Sequence, residues 1–288
     1  MKSEKRIGLI GGSGLYSLPG LVSSSEIAVD TPFGKPSDVY VVGELSGVPV
    51  VFLARHGRKH SILPSELNFR ANVWGFKKLG CDALLSASAC GSMKEAYRPT
   101  DLVLPDQFID RTYRRISTFF GDGCVAHVSM ARPVCPGLLE TLDRSARAVG
   151  AQVHTGGTYL GMEGPQFSTR AESDLYRTWG VDVIGMTNVQ EAKLCREAEI
   201  CYATMALVTD YDCWNEDHQA VSVEAVIAVL HQNAATANRI LSDTVRAIDP
   251  ARICSCRDAL GSAILTRPED VPPATRTRLE LLTEKYWK

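Results

Sequence analysis

The run CYATMALV, residues 201–208, holds eight residues with no charge and no polar/apolar alternation. A strand that is apolar on both faces needs cover on both, as a central strand has in a parallel sheet packed between helices. The rest of the chain fits that demand. Short apolar runs at 7–10, 83–89, 102–104, 153–159 and 181–184 alternate with helical spacing at 64–79, 136–149, 172–179, 190–199 and roughly 222–248. The runs 39–42 and 48–53, joined by GELSG, read as a hairpin. The pattern predicts an α/β three-layer fold: a mixed, mostly parallel sheet flanked by helices. No repeat or clear linker interrupts it before about residue 249, so residues 1–288 read as a single domain. The tail 249–288 is Pro-rich and then helical, with Leu279, Leu282 and Tyr286 on one face. That face is expected to pack at a subunit interface.

Composition removes several function classes. Lys and Arg number 31 against 33 Asp and Glu, with no basic tail or stripe, which argues against nucleic-acid partners. No apolar run reaches the roughly 18 to 20 residues of a membrane helix. The start, MKSEKRIGLIGG, lacks the features of a signal peptide. A cytoplasmic protein without a membrane partner is expected. Most of the nine cysteines sit in apolar runs and read as small buried hydrophobes. No Cys-x-x-Cys pair is present, and no metal site is expected.

Chemistry-bearing residues gather at the ends of the apolar runs. LIGGSGL (9–15) offers backbone N–H groups and the Ser13 hydroxyl to an anion. It is not the dinucleotide fingerprint, because Ser17 stands where the last glycine belongs. ARHGRKH (54–60) places Arg55 and His56 as donors for a phosphate. The i, i+4 pair His56 and His60 could hold a metal only on a helix, which Gly57 opposes. SASACGS (86–92) closes a strand with small residues and lacks the Gly-x-Ser-x-Gly nucleophile elbow. In GMEGPQFSTRAE (161–172), Phe167 precedes a capping box at Thr169 and Glu172 and can stack on a flat ligand. IGMTNVQEAKL (184–194) places Met186 and Thr187 just past a strand. LVTDYDCW (207–214) ends the buried run in Asp210 and Asp212, which either cap a turn or hold something that wants negative charge in a half-dry place. Each stretch alone is ambiguous. Together they mark the ends of at least four strands, where open α/β sheets bind small molecules.

The motifs GLIGGSGL, DTPFGKPSD, LARHGRKH, SACGS, DQFIDRT, EGPQFSTRAES, RTWGVDVIGMT and LVTDYDCW, spread over roughly residues 6–245, resemble the purine nucleoside phosphorylase family. They are most similar to its trimeric, methylthioadenosine-cleaving branch. The resemblance implies phosphorolysis of S-methyl-5′-thioadenosine to adenine and 5-methylthioribose 1-phosphate, with phosphate as co-substrate and no metal or organic cofactor. It implies a homotrimer or a dimer of trimers. Ser13, Arg55, His56, Ser88, Ala89 and Thr187 are then phosphate contacts. Met186 meets the ribose and Phe167 packs on the purine. Thr209 orients the acids: Asp210 is the proton partner of purine N7, and Asp212 reads the 6-amino edge. Val223, Val226 and Ile227 line the methylthio pocket, and His127 reaches a neighbouring subunit's pocket. Ser13 and Ser88 replace threonines, and Gln166 replaces an arginine after Gly-Pro, which removes a charge near the phosphate side. Some archaeal members carry a Cys-x-Cys pair and intrasubunit disulfides. Cys254 and Cys256 resemble that pair, with Cys135, Cys201 and Cys195 as candidate partners.

Other readings are weaker. A methyltransferase using S-adenosylmethionine needs an acidic residue after its second strand, where this chain offers Arg55 and His56 after the hairpin. A non-catalytic nucleotide-binding module would not need the whole set of contacts. Within the family, the alternative is a broader phosphorylase acting on adenosine or inosine.

Overall fold

The computed structural model describes residues 6–215 and 223–287, the side chains of 223–228 and of His231 excepted. In chain order the elements are β1 (Arg6–Gly11), β2 (Leu21–Ile27), β3 (Tyr40–Leu45), β4 (Val48–Ala54), α1 (Phe69–Lys78) and β5 (Cys81–Ser92). There follow β6 (Leu102–Leu104), β7 (Gln107–Arg111), α2 (Pro136–Ala148), β8 (Val153–Thr155), β9 (Thr158–Met162) and α3 (Arg170–Thr178). The last are β10 (Val183–Gly185), α4 (Asn188–Glu197), β11 (Cys201–Asp210), α5 (Val223–Ala247) and α6 (Pro273–Thr283).

All the strands join one mixed sheet. Six of its pairings are parallel and four antiparallel. The CYATMALV run is the body of β11, buried along its length. It lies parallel to β5 from Cys201 opposite Ala83 to Asp210 opposite Gly91. On the other side of β5, β1 runs parallel as far as Gly11 opposite Ala87. Strand β10 then takes over that edge, antiparallel, at Gly91 and Ser92. Ser88, Ala89 and Cys90 fall in the gap between the two partners. That gap, at the carboxyl ends of β1, β4 and β11, positions the site.

The apolar faces of the helices cover both sides of the sheet. On one side Leu138 and Leu142 of α2 and Ile240 and Leu241 of α5 pack on Leu9, Leu85 and Met205. On the other, Val73 and Phe76 of α1 and Leu194 of α4 pack on Leu84 and Tyr202. Leu279 and Leu282 of α6 join this second cluster. The tail therefore buries Leu279 and Leu282 within its own chain.

Three local readings also change. The helical spacing at 64–79 is a short 3-10 turn followed by α1, because the Asn68 side chain accepts a hydrogen bond from the Ala71 N–H at 3.1 Å and starts a new helix there. The run 153–159 is two strands, broken at Gly156 and Gly157, whose φ angles of 86° and 113° favour glycine. Strands β2 and β7 have no counterpart in the sequence reading. The serine-rich β2 is an exposed edge strand with little apolar patterning to betray it. Among the described residues, no helix is long and apolar enough to cross a membrane.

Candidate active site

A cavity of about 280 Å³ opens where β5 changes partner, close to the lower bound of small-molecule sites. Ser13, Arg55, His56, Ser88, Ala89 and Thr187 line one end of it. Phe167, Met186, Thr209, Asp210 and Asp212 also line it. Leu230 of α5 also faces it, but Val223, Val226 and Ile227 on the same helix lie outside the described side chains. His127 is not among the lining residues. It is exposed, and its backbone N–H donates to the Ala263 carbonyl at 2.9 Å. Gln166 is exposed and also stands outside the cavity lining, so its place gives no sign of a charge lost from the phosphate end.

The basic end rests on a fully buried ion pair. Arg55, at 0% exposure, donates from Nε to Glu191 Oε1 at 2.5 Å. Its Nη2 donates to Ser86 Oγ at 2.6 Å and Glu191 Oε2 at 3.3 Å, and its Nη1 to the Ala87 carbonyl at 3.2 Å. Of the five guanidinium N–H groups, four are thus taken by the protein, which leaves one on Nη1 for a ligand. Arg55 is thus a fixed charge with a single free donor. Gly12 permits this approach: a Cβ there would sit 2.4 Å from Arg55 Nη1. Ser88 Oγ donates to Asn188 Oδ1 at 2.5 Å, and Asn188 Nδ2 donates back to Ser86 Oγ at 2.9 Å. Thr187 is the N-cap of α4, so the positive end of that helix opens on the same place.

His56 Nδ1 meets the Ile62 carbonyl at 2.9 Å. A carbonyl only accepts, so Nδ1 carries the proton and neutral His56 presents Nε2 as a lone pair. Burial, then the Arg55 charge, push its pKa down to about 4. Because the folded value lies below the unfolded one, His56 contributes stability that is present above about pH 6.5 and lost as pH falls toward 4. Glu197, pushed up to about 7 by burial, runs in the opposite direction, so the difference between two proteins isolates His56. From pH 7 to pH 5 the wild type is expected to lose about 2 kcal/mol relative to His56→Gln. Urea unfolding at both pH values measures it, and parallel losses in the two proteins would contradict the assignment.

The acidic end begins where β11 leaves the sheet. Asp210 Oδ2 accepts from the Thr209 hydroxyl at 2.6 Å, and Asp210 Oδ1 from the Asp212 N–H at 2.8 Å. Asp210 therefore does cap a turn. Asp212, at φ 54°, is held by that turn at the cavity wall. Its Oδ2 is buried and has no partner among the described residues. Burial raises the pKa of both acids, and for Asp212 the nearby Asp210 adds to it. Gly91 gives them room, since a Cβ there would come within 3.0 Å of Asp210 Oδ1.

Several residues of the site carry no signal in the sequence. Glu191 and Asn188 read only as polar residues of a helix. His60, considered only for a metal, also faces the cavity. Arg115, with 1% of its side chain exposed, pairs with Glu163 Oε1 at 3.1 Å. It also donates to the Met186, Met162 and Glu163 carbonyls and to Gln190 Oε1. It thus ties together the two loops that bring Met186 and Phe167 to the cavity. A larger cavity, about 670 Å³, lies at the far end of β1. Among the described residues lining it, Asp82 is the one carboxylate, held in ion pairs by Arg252 and Arg257.

The nine cysteines are drawn together by no disulfide in the structure. Cys135, Cys201, Cys254 and Cys256 do come together. Cys195 lies in the other core cluster, outside this group.

A single cavity with an anion cradle at one end and raised carboxyls at the other suits a reaction between a phosphate and a base-bearing sugar. The family model of the phosphorylase superfamily matches residues 6–246, and the chain belongs to that family. Among curated relatives it is 55% identical to the S-methyl-5′-thioadenosine phosphorylase of Koribacter versatilis, over 99% of this chain and 97% of that one. It is 56% identical to the enzyme of the same name from Geobacter sulfurreducens, over 98% and 99%. Among solved structures, a methylthioadenosine phosphorylase from an antarctic soil metagenomic library superposes with a TM-score of 0.92 at 48% identity, covering 98% of this chain and 99% of the other. A variant adenosine/methylthioadenosine phosphorylase from Schistosoma mansoni, in complex with methylthioadenosine, gives 0.79 at 38% identity, over 85% and 93%.

Proposed function

We infer that the chain catalyses phosphorolysis of S-methyl-5′-thioadenosine, releasing adenine and 5-methylthioribose 1-phosphate. The observation that carries this reading is the single cavity joining Arg55 and His56 to Asp210 and Asp212, in a chain about half identical to phosphorylases of that name. In this reading inorganic phosphate lies against Arg55, His56, Ser13, Ser88, the Ala89 backbone and Thr187, and no organic cofactor or metal takes part. A phosphate oxygen forms the bond to C1′ as the C1′–N9 bond breaks. Positive charge developing on the sugar is stabilised by the adjacent phosphate. Negative charge moves onto the purine and is met at N7 by a proton from Asp210, whose raised pKa suits it to carry one. Asp212, which lines the same cavity, accepts from the 6-amino group. Phe167 packs on the base and Met186 on the ribose. His127 of one subunit completes the pocket of the next in a cytoplasmic trimer.

A second, broader reading, in which adenosine is also a substrate, is favoured by the description of the Schistosoma mansoni relative as an adenosine/methylthioadenosine phosphorylase. The test is chromatography of the free base released from methylthioadenosine, adenosine and inosine, with and without phosphate. Adenine release from methylthioadenosine is expected only with phosphate, and kcat/KM ranks that substrate first. Release without phosphate, or preference for inosine, overturns the reading.

A further inference from the structure

The end of β11 opposite the acids carries a second constellation. Cys201 is the first residue of that strand and Asp210 its last, about 30 Å apart along an extended chain. Around Cys201 gather Cys135, the N-cap of α2, and Cys254 and Cys256 from the segment that follows α5. The four sulfurs all lie within 4.8 Å of one another, and those of Cys135 and Cys254 are 3.5 Å apart. Four thiolates bound tetrahedrally to zinc at about 2.3 Å have sulfurs about 3.8 Å apart. The 3.5 Å pair and the 4.8 Å limit bracket that spacing.

The surroundings suit the charge. Zinc(II) bound by four cysteines releases four thiol protons and leaves a net charge of −2. Arg196 Nη1 donates to Cys256 Sγ at 3.5 Å, and Arg252 stands over the same cluster on its way to Asp82. The N-terminus of α2 presents its positive end at Cys135. Uncharged thiols would gain little from two guanidinium groups and a helix terminus; thiolates gain from each. Three of the four cysteines are buried, and only Cys254 is partly open, which fits a closed structural site better than a catalytic one. The ligands come from three separate segments, so no local spacing announces them.

We propose that Cys135, Cys201, Cys254 and Cys256 form a tetrathiolate zinc site that clips the segment after α5 to the start of β11 and of α2. The clip holds the chain where it turns back toward α6, remote from the nucleoside cavity.

The experiment is metal analysis of full-length protein purified with reductant and without chelator, together with thiol titration after denaturation without reductant. One zinc per chain with all nine thiols is expected. Replacing zinc by cobalt(II) is expected to give thiolate-to-cobalt charge-transfer bands and tetrahedral d–d bands. The double variant Cys254→Ser, Cys256→Ser is expected to lose the zinc and melt lower, yet keep kcat/KM within about twofold. If that variant fails to fold, the metal count and cobalt spectrum of the wild type still decide. The proposal is overturned by nine thiols with no uptake of added zinc chloride or cobalt(II). It is equally overturned by seven or five thiols without metal, the result of one or two disulfides.

Discussion

Asp210→Asn is expected to lower kcat/KM for methylthioadenosine by about 10² to 10⁴, the range that general-acid help supplies, and to raise the relative rate on inosine. The amide cannot hand a proton to N7. Its NH₂ group can donate to a 6-keto oxygen, which a carboxylate repels. The structure says why the loss is chemical and not a folding defect. The amide would keep one acceptor for the Asp212 N–H, now 2.8 Å from Asp210 Oδ1. The Thr209 hydroxyl, which donates to the second oxygen, has the Cys90 carbonyl at 3.1 Å as another acceptor. The turn that holds Asp212 therefore survives, and the melting temperature is expected to stay within a few degrees. Steady-state rates on both substrates, read beside a melting curve, decide the matter. A variant that still favours 6-amino nucleosides undiminished would remove Asp210 from its role.

Why this acid pair was legible, and other parts of the site were not, is a matter of range. Asp210 and Asp212 sit in one short stretch after an apolar run, and a sequence displays such local contrast directly. The capping box of α3 was legible for the same reason: Glu172 N–H meets Thr169 Oγ1 at 3.2 Å, and Thr169 N–H meets Glu172 Oε2 at 2.8 Å. The partner of Arg55 was not. Glu191 lies 136 positions away, on a helix whose polar residues look alike until the fold buries one of them. Arg115 was hidden similarly, as one of three arginines in RTYRR. Edge strand β2 failed differently, since a strand exposed on both faces has no hydrophobic period to read. The cysteines are a mixed case. The apolar run marked Cys201 as buried and the resemblance grouped it with Cys135, Cys254 and Cys256, but neither revealed that all four sulfurs converge.

Glu191→Gln is expected to destabilise the fold by about 3 to 5 kcal/mol, because it breaks a buried ion pair and leaves the arginine behind. Arg55 and Glu191 have side-chain exposures of 0% and 1%, so water cannot replace the lost charge. Glutamine also fails as an acceptor. Glu191 Oε2 takes hydrogen bonds from Tyr202 at 2.8 Å, Ser86 at 2.9 Å, and Asn188 and Arg55 Nη2 at 3.3 Å. An NH₂ group at that oxygen's place faces donors, and turning it the other way faces Arg55 Nε. The melting temperature should drop by roughly 10 °C. Phosphate then becomes the only anion near Arg55, so saturating phosphate is expected to raise the melting temperature of the variant more than that of the wild type. The guanidinium, no longer fixed, holds that phosphate off line, and a displacement of about 1 Å costs on the order of 10² in kcat. Calorimetry across a phosphate series, with kcat at saturating phosphate, separates these effects. If the variant melts with the wild type and phosphate stabilises both equally, Glu191 is not what holds Arg55 in place.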